Sequence, residues 1–470
     1  MYQNRTLIRG DNLEEMRKFP DECIDLIATD PPFNSKRDYF VPFRDERGRE
    51  PDTLVRVFTD TWSWDEAAEE TYEELIVEVG GQIGDTIQGL RQFLNETPMM
   101  AYLVMMAIRI VEMRRILKNT GSLYLHCDPT ASHYLKIVLD AVFGVNNFGN
   151  EIVWCYRGGG VPKNDFSRKH DIIFRYSKTN EVIFNVDDIR LPYSPESQER
   201  LRYKARAFRG DRVYDSYDMN ERGKHPEDWW VMQPIMPSSR ERTSYPTQKP
   251  IELYKRIVTA SSNEDNLVLD PFCGCGTTLM AAEELNRQWI GIDLTYLAIG
   301  AVNGQFEKLF PQQRNNVHIT GTPENGEQAL ELAHTNPHGF EEWCITHVLK
   351  FKSNAKKGAD GGIDGSFRFP IGAVRGRPAY GKAVAQVKGG NYTLGHIRDF
   401  RTAMQNEEAD LGVFVVTSPP SSGMRTEASR AGTYRHPFLD MEAPALQIYE
   451  IQDHFRDILP RLPFGARSVL

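Results

Sequence analysis

At 470 residues the chain is longer than one ordinary hydrophobic core supports and has room for two or three domains. Hydrophobic residues make up 40% and charged residues 26%, the balance of a soluble globular protein. A formal charge of -9 excludes a uniformly basic nucleic-acid binder, so a DNA partner would need basic residues gathered on one face.

Six cysteines (Cys23, Cys127, Cys155, Cys273, Cys275, Cys344) are scattered with no pair at zinc-ribbon spacing, which predicts reduced thiols and a cytoplasmic protein. No basic stretch followed by an apolar run opens the chain, so a signal peptide is not expected. The most apolar window, Met99 to Ile108, is interrupted by Arg109 and is too short to cross a bilayer; it is expected to be a buried helix with no membrane role.

In chain order, Ile24 to Ala28 reads as a buried strand that must stop at Asp30-Pro31-Pro32, because proline donates nothing to a ladder. From about 60 to 118 the pattern is helical, first acidic (Asp60, Asp65, Glu66, Glu69, Glu70, Glu73, Glu74), then apolar. The acidic part is expected to be a solvated face. Gly121 to Cys127 reads as a strand and Ser132 to Phe143 as a helix. Residues 155–245 are polar, aromatic and rich in turn formers, without βα alternation. The alternation returns with a helical pattern from Thr247, a strand at 267–270, a glycine loop, a helix and a strand at 289–293. Strands alternating with helices predict an α/β chain with a doubly wound parallel sheet. Residues 311–339 shift to Gln, Asn, Pro, Gly and His and are expected to be a linker. Beyond it, a helix at Phe340 to Phe351 and strands at 383–388 and 411–418 predict a small second α/β domain. There is no internal repeat and no GxxxxGK[ST], so an ATP-driven motor is not expected.

Two short segments carry chemistry. The first is Asp270-Pro271-Phe272-Cys273-Gly274-Cys275-Gly276-Thr277, between a strand and a helix. Glycines let backbone approach a ligand there, and the helix start offers free N–H groups. Asp293 ends the following strand about 20 positions on, the place of an acid that binds ribose hydroxyls in nucleotide sites. The spacing is not GxGxxG, which disfavours a nicotinamide or flavin, and an ordinary strand–helix turn would look similar. The second segment is Asp30-Pro31-Pro32-Phe33, at the carboxyl end of its strand, where open α/β sheets place their sites. The amino group of a base attacks poorly, because its lone pair is delocalised into the ring. A carboxylate and a proline-held carbonyl can accept its hydrogens, and an aromatic ring can stack on the base. Alone, such a turn could merely close a strand.

Together, the two segments resemble the permuted, β-group DNA amino methyltransferases, in which a DPPY/F motif precedes an FxGxG motif. The resemblance covers residues 1 to about 305 and includes GDNLEEM near the start. It implies a Rossmann-like fold, S-adenosylmethionine as cofactor and double-stranded DNA as partner. It assigns Asp30, Pro31, Pro32 and Phe33 to catalysis. It assigns Asp11, Lys249, Asp270, Phe272, Gly274, Gly276, Thr277 and Asp293 to the cofactor, with Asp11 against its adenine and Lys249 near its methionine part. An aspartate before the two prolines resembles the adenine-N6 enzymes more than the cytosine-N4 enzymes. No cysteine follows a proline, so the nucleophile of ring-carbon methyltransferases is absent and transfer should be direct. The target base should be flipped out of the duplex.

In that family the target-recognition segment lies between the motifs, here at 155–245. Within it Arg200, Arg202, Lys204, Arg206, Arg209 and Arg212 crowd together, interleaved with Tyr203, Phe208 and Tyr214, as phosphate and guanine contacts would require. A solvated basic helix is the plainer reading of such a run. Further on, GADGGIDG (358–365) and VAQVK (384–388) resemble the Mrr-like branch of the PD-(D/E)xK nucleases. That resemblance implies Asp364 as a Mg²⁺ ligand, Gln386 where many relatives have an acid, and Lys388 on the attacking water or the phosphate; Glu341 and Glu342 could complete the metal shell. A glycine-rich hairpin beside a buried strand, or a nuclease fold that only binds DNA, would fit the same residues.

The expectation is therefore a methyltransferase domain at 1–310, a linker at 311–339 and a nuclease-like domain at 340–470. Its function would be site-specific methylation of DNA in a restriction-modification or epigenetic role, with adenine N6 ahead of cytosine N4. A homodimer is compatible with it, and so is a bifunctional methyltransferase-nuclease. A non-catalytic DNA-binding protein is the rival from another class.

Overall fold

The computed structural model describes residues 3–33, 37–42, 54–60, 62–158, 162–202, 207–209, 212–214, 220–236, 239, 241–243, 245, 247–353, 362–374 and 377–463. The first unit is built on a nine-stranded sheet. From one edge to the other its strands are Trp229–Val231, Phe148–Cys155, His170–Ser177, Leu117–Cys127, Ile24–Thr29, Leu267–Asp270, Gln288–Asp293, Thr6–Arg9 and His318–Thr320. Only His170–Ser177 runs against its neighbours; every other pair is parallel.

The central strands are apolar on both faces because helices cover both. Ile27, Leu123, Leu125, Leu269 and Ile290 enter one core with the helix Pro98–Ile116, while Leu26, Ala28, Tyr124, Val268 and Trp289 enter the other with the helices Ile251–Ser261 and Thr277–Glu284. The apolar window at 99–108 lies within Pro98–Ile116 and is buried almost throughout, capped by the Thr97 side chain on Met100 N–H. Among the described residues no helix is long and apolar enough to cross a membrane. The acidic stretch forms a helix, Glu66–Glu74, with no buried residue, as expected of a solvated face.

Two expectations need correction. The segment 155–245 is not wholly an insertion: His170–Ser177 pairs with strands on both sides and Trp229–Val231 closes the sheet edge, because Ile172, Ile173, Phe174 and Tyr176 are apolar enough to be buried. The part outside the sheet is shorter, between those two strands. Nor is 311–339 an open linker. His318–Thr320 pairs with Thr6–Ile8 at the far sheet edge. The helix Gly326–Thr335 then buries Ala329 and Ala333 in the core of the second unit. Its polar composition hid a helix that fully buries only two alanines, with Leu330 and Leu332 partly buried against the same core.

The second unit has a five-stranded sheet in the order Lys352–Ser353, Gly365–Val374, Arg377–Lys388, Leu411–Val416, Leu446–Glu450, antiparallel over its first two pairings and parallel over its last two. Alternation again divides two cores: Ala383, Ala385, Val413 and Val415 face Phe340 and Trp343, whereas Val384, Phe414 and Val416 face Phe400 and Met404. Tyr296 of the first unit is buried in the core of the second, with the Arg9 guanidinium 4.4 Å from its ring centroid.

Candidate active site

The strand Leu267–Asp270 delivers Asp270 to its carboxyl end, and the chain then turns through two left-handed glycines, Gly274 (φ 49°) and Gly276 (φ 83°). A side chain at Gly276 would place Cβ 2.9 Å from Val302, so the close helix packing also requires glycine. The Gly274 N–H donates to the Asp293 carboxylate at 3.0 Å, and Asp293 also accepts from Thr295 N–H at 2.9 Å. These bonds hold loop and acid together at the start of the helix Thr277–Glu284. Burial pushes the Asp293 carboxyl up from its ordinary pKa.

The neighbouring strand Ile24–Thr29 ends beside this loop. Thr29 Oγ1 donates to Asp270 Oδ1 at 2.8 Å, which ties together two segments 241 residues apart. Asp270 is buried; desolvation raises its pKa to about 7 against the opposing hydrogen bonds from Thr278, Thr29 and Phe272 N–H. A cavity of about 380 Å³ opens over both segments, within the range of ligand pockets. Its wall includes Asp11, Asp30, Pro31, Pro32, Phe33, Lys249, Asp270, Phe272, Gly274, Thr277 and Asp293. Gly276 stands behind the wall as the residue before the helix. All twelve positions expected for catalysis and cofactor are thus brought to one place.

Asp30 meets a nitrogen-bearing side chain on each side. Lys249 Nζ pairs with Oδ2, and His126 Nδ1 lies 3.1 Å from Oδ1. Burial opposes ionisation of Asp30, but Lys249 and His126 outweigh it and hold the carboxyl down at about 2. Oδ1 is inaccessible to water, with His126 Nδ1 beside it. Phe33 stands 5.3 Å from the His126 ring, edge to face, with Lys249 Nζ 5.0 Å from its own ring centroid.

Several wall residues carried no local signal. Arg109 leaves the apolar helix to bond both Asp11 carboxylate oxygens (3.1 and 2.8 Å) and Asn12 Oδ1 (2.6 Å). Asn12 in turn donates to the Pro271 carbonyl at 2.6 Å. Asp11 also caps the helix Asn12–Arg17, accepting from Leu13 N–H at 2.8 Å. Behind Asp30, His126 Nε2 faces Asp171 Oδ2 at 3.3 Å, and Tyr156 donates to Asp171 Oδ1 at 3.2 Å. An arginine inside an apolar helix was the one available clue; His126 had none.

Of the basic run, Arg200 and Arg202 lie on the helix Pro195–Arg202, and the backbones of Arg209 and Arg212 are partners in a two-stranded antiparallel ladder. Lys204 and Arg206 lie outside the described residues, as does Tyr203. In the second unit Asp364 reaches the strand that bears Gln386 and Lys388: its Oδ2 accepts from Val387 N–H at 2.7 Å. Gln386 is buried, and a Cβ at Gly362 would come 2.5 Å from its Nε2. Residues 358–361 lie outside the described residues. Burial raises the pKa of Glu342, and Arg9 of the first unit opposes that rise. Among the described residues no three His, Cys, Asp or Glu side chains converge as a metal site.

Residues 24–299, more than half of the chain, match the N6/N4 family model described as DNA methylase. The chain belongs to this DNA methylase family. The DNA methylase match starts beyond Asp11, which the strand Thr6–Arg9 nevertheless brings into the same sheet and cavity. A second model, described as restriction endonuclease, matches residues 332–435. Type II methyltransferase M.HpaI of Haemophilus parainfluenzae is 27% identical over 292 residues, covering 62% of this chain and 70% of its own length. DNA adenine methyltransferase YhdJ of Escherichia coli is 27% identical over 300 residues, covering 63% and 81%. Among solved structures, PvuII DNA methyltransferase, described as cytosine-N4-specific, is similar at 15% identity with a TM-score of 0.42, covering 68% of this chain and 95% of that one.

Proposed function

We propose that this DNA methylase transfers a methyl group from S-adenosylmethionine to adenine N6 at a specific sequence in duplex DNA. The observation that carries this reading is the Asp30 carboxylate, gripped by Lys249 and His126 in the wall of a nucleotide-sized cavity that the Asp270–Thr277 loop also lines. The residues present suit the cofactor. Asp293 can accept from ribose hydroxyls, Phe272 offers an apolar face, and Asp11, held by Arg109, offers a carboxylate. When bound, the sulfonium supplies an electrophilic methyl group.

The chain's own part is to orient the acceptor. Asp30 stays ionised and accepts a hydrogen bond from the target amino group, so that electron density gathers on the nitrogen as it attacks, and the methylated nitrogen then releases its surplus proton to solvent. Lys249 and His126 keep the carboxylate in one position, which spares reorganisation during transfer. Phe33 provides a face for the flipped base, a stacking contact worth roughly 1–3 kcal/mol. Adenine is favoured by the aspartate before the two prolines, and the name of YhdJ agrees with it. Arg200, Arg202, Lys204, Arg206, Arg209 and Arg212 are proposed as DNA contacts.

Incubation of the chain with tritiated S-adenosylmethionine and duplex DNA, followed by digestion to nucleosides, tests this. Labelled N6-methyladenine is expected, and Asp30→Ala should abolish it. N4-methylcytosine would replace the adenine assignment, and no label in DNA would overturn the whole reading.

We further propose that the second unit cuts DNA, with Asp364 and Gln386 holding Mg²⁺ together with a substrate phosphate, and Lys388 stabilising the charged phosphate. The hydrogen bond from Val387 N–H to Asp364, which ties the aspartate to the strand bearing Gln386 and Lys388, supports it. A nicking assay with Mg²⁺ should lose its signal in both Asp364→Ala and Lys388→Ala; cutting that survives in both would overturn it.

A further inference from the structure

Away from the cavity, the second unit buries one carboxylate under three arginines. Glu427, on the helix Ser422–Ser429, is 3% exposed. Arg430 Nη1 bonds its Oε2 at 2.8 Å, Arg401 Nη2 lies 3.1 Å from Oε1, and Arg398 Nε lies 3.5 Å from Oε2. Arg398 and Arg401 come from the adjoining helix Leu394–Asn406. One forked arginine could satisfy both oxygens of a buried carboxylate. Three leave a net charge of about +2, with most of their five N–H donors each still unspent. The arginines are also not withdrawn from water, since Arg398 is 56%, Arg401 30% and Arg430 59% exposed. Glu427 therefore acts as a fixed post that holds three cations close together at the surface. Ordinary long cations lose rotamer freedom when they bind a phosphate, and cations already held lose less.

The location gives the cluster its meaning. Lys388, Val416 and Glu450 stand in register at one end of the parallel strands. The helix that bears Arg398 follows the strand ending at Lys388, and the helix that bears Arg425 follows the strand ending at Val416. Arg425, 61% exposed, reaches Glu450 at 3.2 Å. Arg425 thus stands at the same sheet end as Lys388, and the Glu427 cluster lies between the two helices that leave that end. Asp399 is the acid next to Arg398 in sequence, about 100° round the helix, and Glu407 at the far end is paired with Lys382.

From this arrangement we infer that Arg398, Arg401 and Arg430, with Arg425 nearer the sheet end, form a phosphate-binding face on which the second unit holds the DNA backbone. The inference rests on duplex DNA as the partner of this protein but not on cleavage. A polyanion with regularly spaced charges suits several fixed cations better than a single small anion does. The rival occupant is the exposed acidic helix Glu66–Glu74 of a second copy.

The test uses the full chain and measures equilibrium binding to a long duplex over a range of salt. Because removing the arginines alone would leave Glu427 buried without a partner, the variant combines Arg398→Gln, Arg401→Gln, Arg430→Gln and Glu427→Gln; Arg425→Gln is made separately. The plot of log affinity against log salt should become shallower by roughly 2–3 in the quadruple variant and by about 1 in Arg425→Gln. Methyl transfer to a short duplex should remain at the level of the unsubstituted chain. An unchanged slope in both variants overturns the inference. So does a change confined to self-association, which would point to the acidic helix instead. If the unsubstituted chain transfers no methyl group, the proposed activity fails, while the slopes still decide this face.

Discussion

His126 Nδ1 lies 3.1 Å from Asp30 Oδ1, and the opposite ring nitrogen lies 3.3 Å from Asp171. One buried imidazole thus spans the gap between the carboxylate at the cavity and a second carboxylate behind it, with Trp154 and Phe33 against its ring. Its position makes it a support for Asp30 rather than a group in contact with substrate.

Replacing His126 with Phe keeps a ring among the aromatics but removes both polar edges. Methyl transfer should slow by about 10²-fold, the scale of a small misplacement at a reacting centre. The loss should fall on kcat, with the KM for the cofactor little changed. A parallel rise in that KM would mean that the cavity had collapsed and that the imidazole does not specifically support Asp30.

Asp30→Asn tests the need for charge. With its pKa held at about 2, Asp30 is ionised throughout any practical assay range. The rate should show no fall between pH 7 and about 5 that belongs to this group. The depressed pKa also means that its contribution to stability is present above the ordinary carboxylate pKa of about 4 and disappears as pH drops through 2. Asn should cost about 10²–10³ in kcat, as loss of a preorganised electrostatic partner does. Single-turnover rates across pH decide this.

Asp270 has the opposite sign. Its native pKa is near 7, whereas the unfolded chain releases the proton near 4. The native state therefore binds more protons between those values, and stability should decline as pH rises from about 4 to 7. Asp270→Asn keeps the acceptor for Thr29 and removes the titration. Its thermal midpoint should depend less on pH across that window, with the gap from the unsubstituted chain widening toward pH 7. Parallel pH curves for the two proteins would refute the assignment.

Arg109→Met should weaken cofactor binding, because Asp11 and Asn12 lose the charge-assisted bonds that hold them at the wall. Such bonds are worth roughly 1.5–3 kcal/mol, so the Kd should rise by about tenfold or more. Titration calorimetry with S-adenosylhomocysteine measures it, and an unchanged Kd would leave Arg109 as a packing residue only.

Local sequence dictated most of the framework. The β-branched run ending at Asp30-Pro31-Pro32 had to be a strand that stops, since proline has no N–H for a ladder. Glycines before Thr277 had to form a tight entry to a helix, since two of them adopt left-handed angles. The alternation of strands and helices carried the α/β class, and the pairing of an amino-directed turn with a nucleotide loop carried the methyltransferase resemblance. These features depend on neighbours within a few residues, which is the range over which a sequence pattern reports backbone preference.

Only the tertiary structure decided which distant residues complete the cavity. Lys249 and Asp30 are 219 positions apart, and Arg109 and Asp11 are 98 apart. Neither pairing leaves a mark on local periodicity. The same holds for His170–Ser177, drawn into the sheet by a partner on each side, and for Gly326–Thr335, a polar-looking helix whose alanines and leucines pack into the second unit's core. Electrostatic partners and burial are set by the packing of whole elements. Charge pairing across a sheet therefore becomes legible only when the chain has folded.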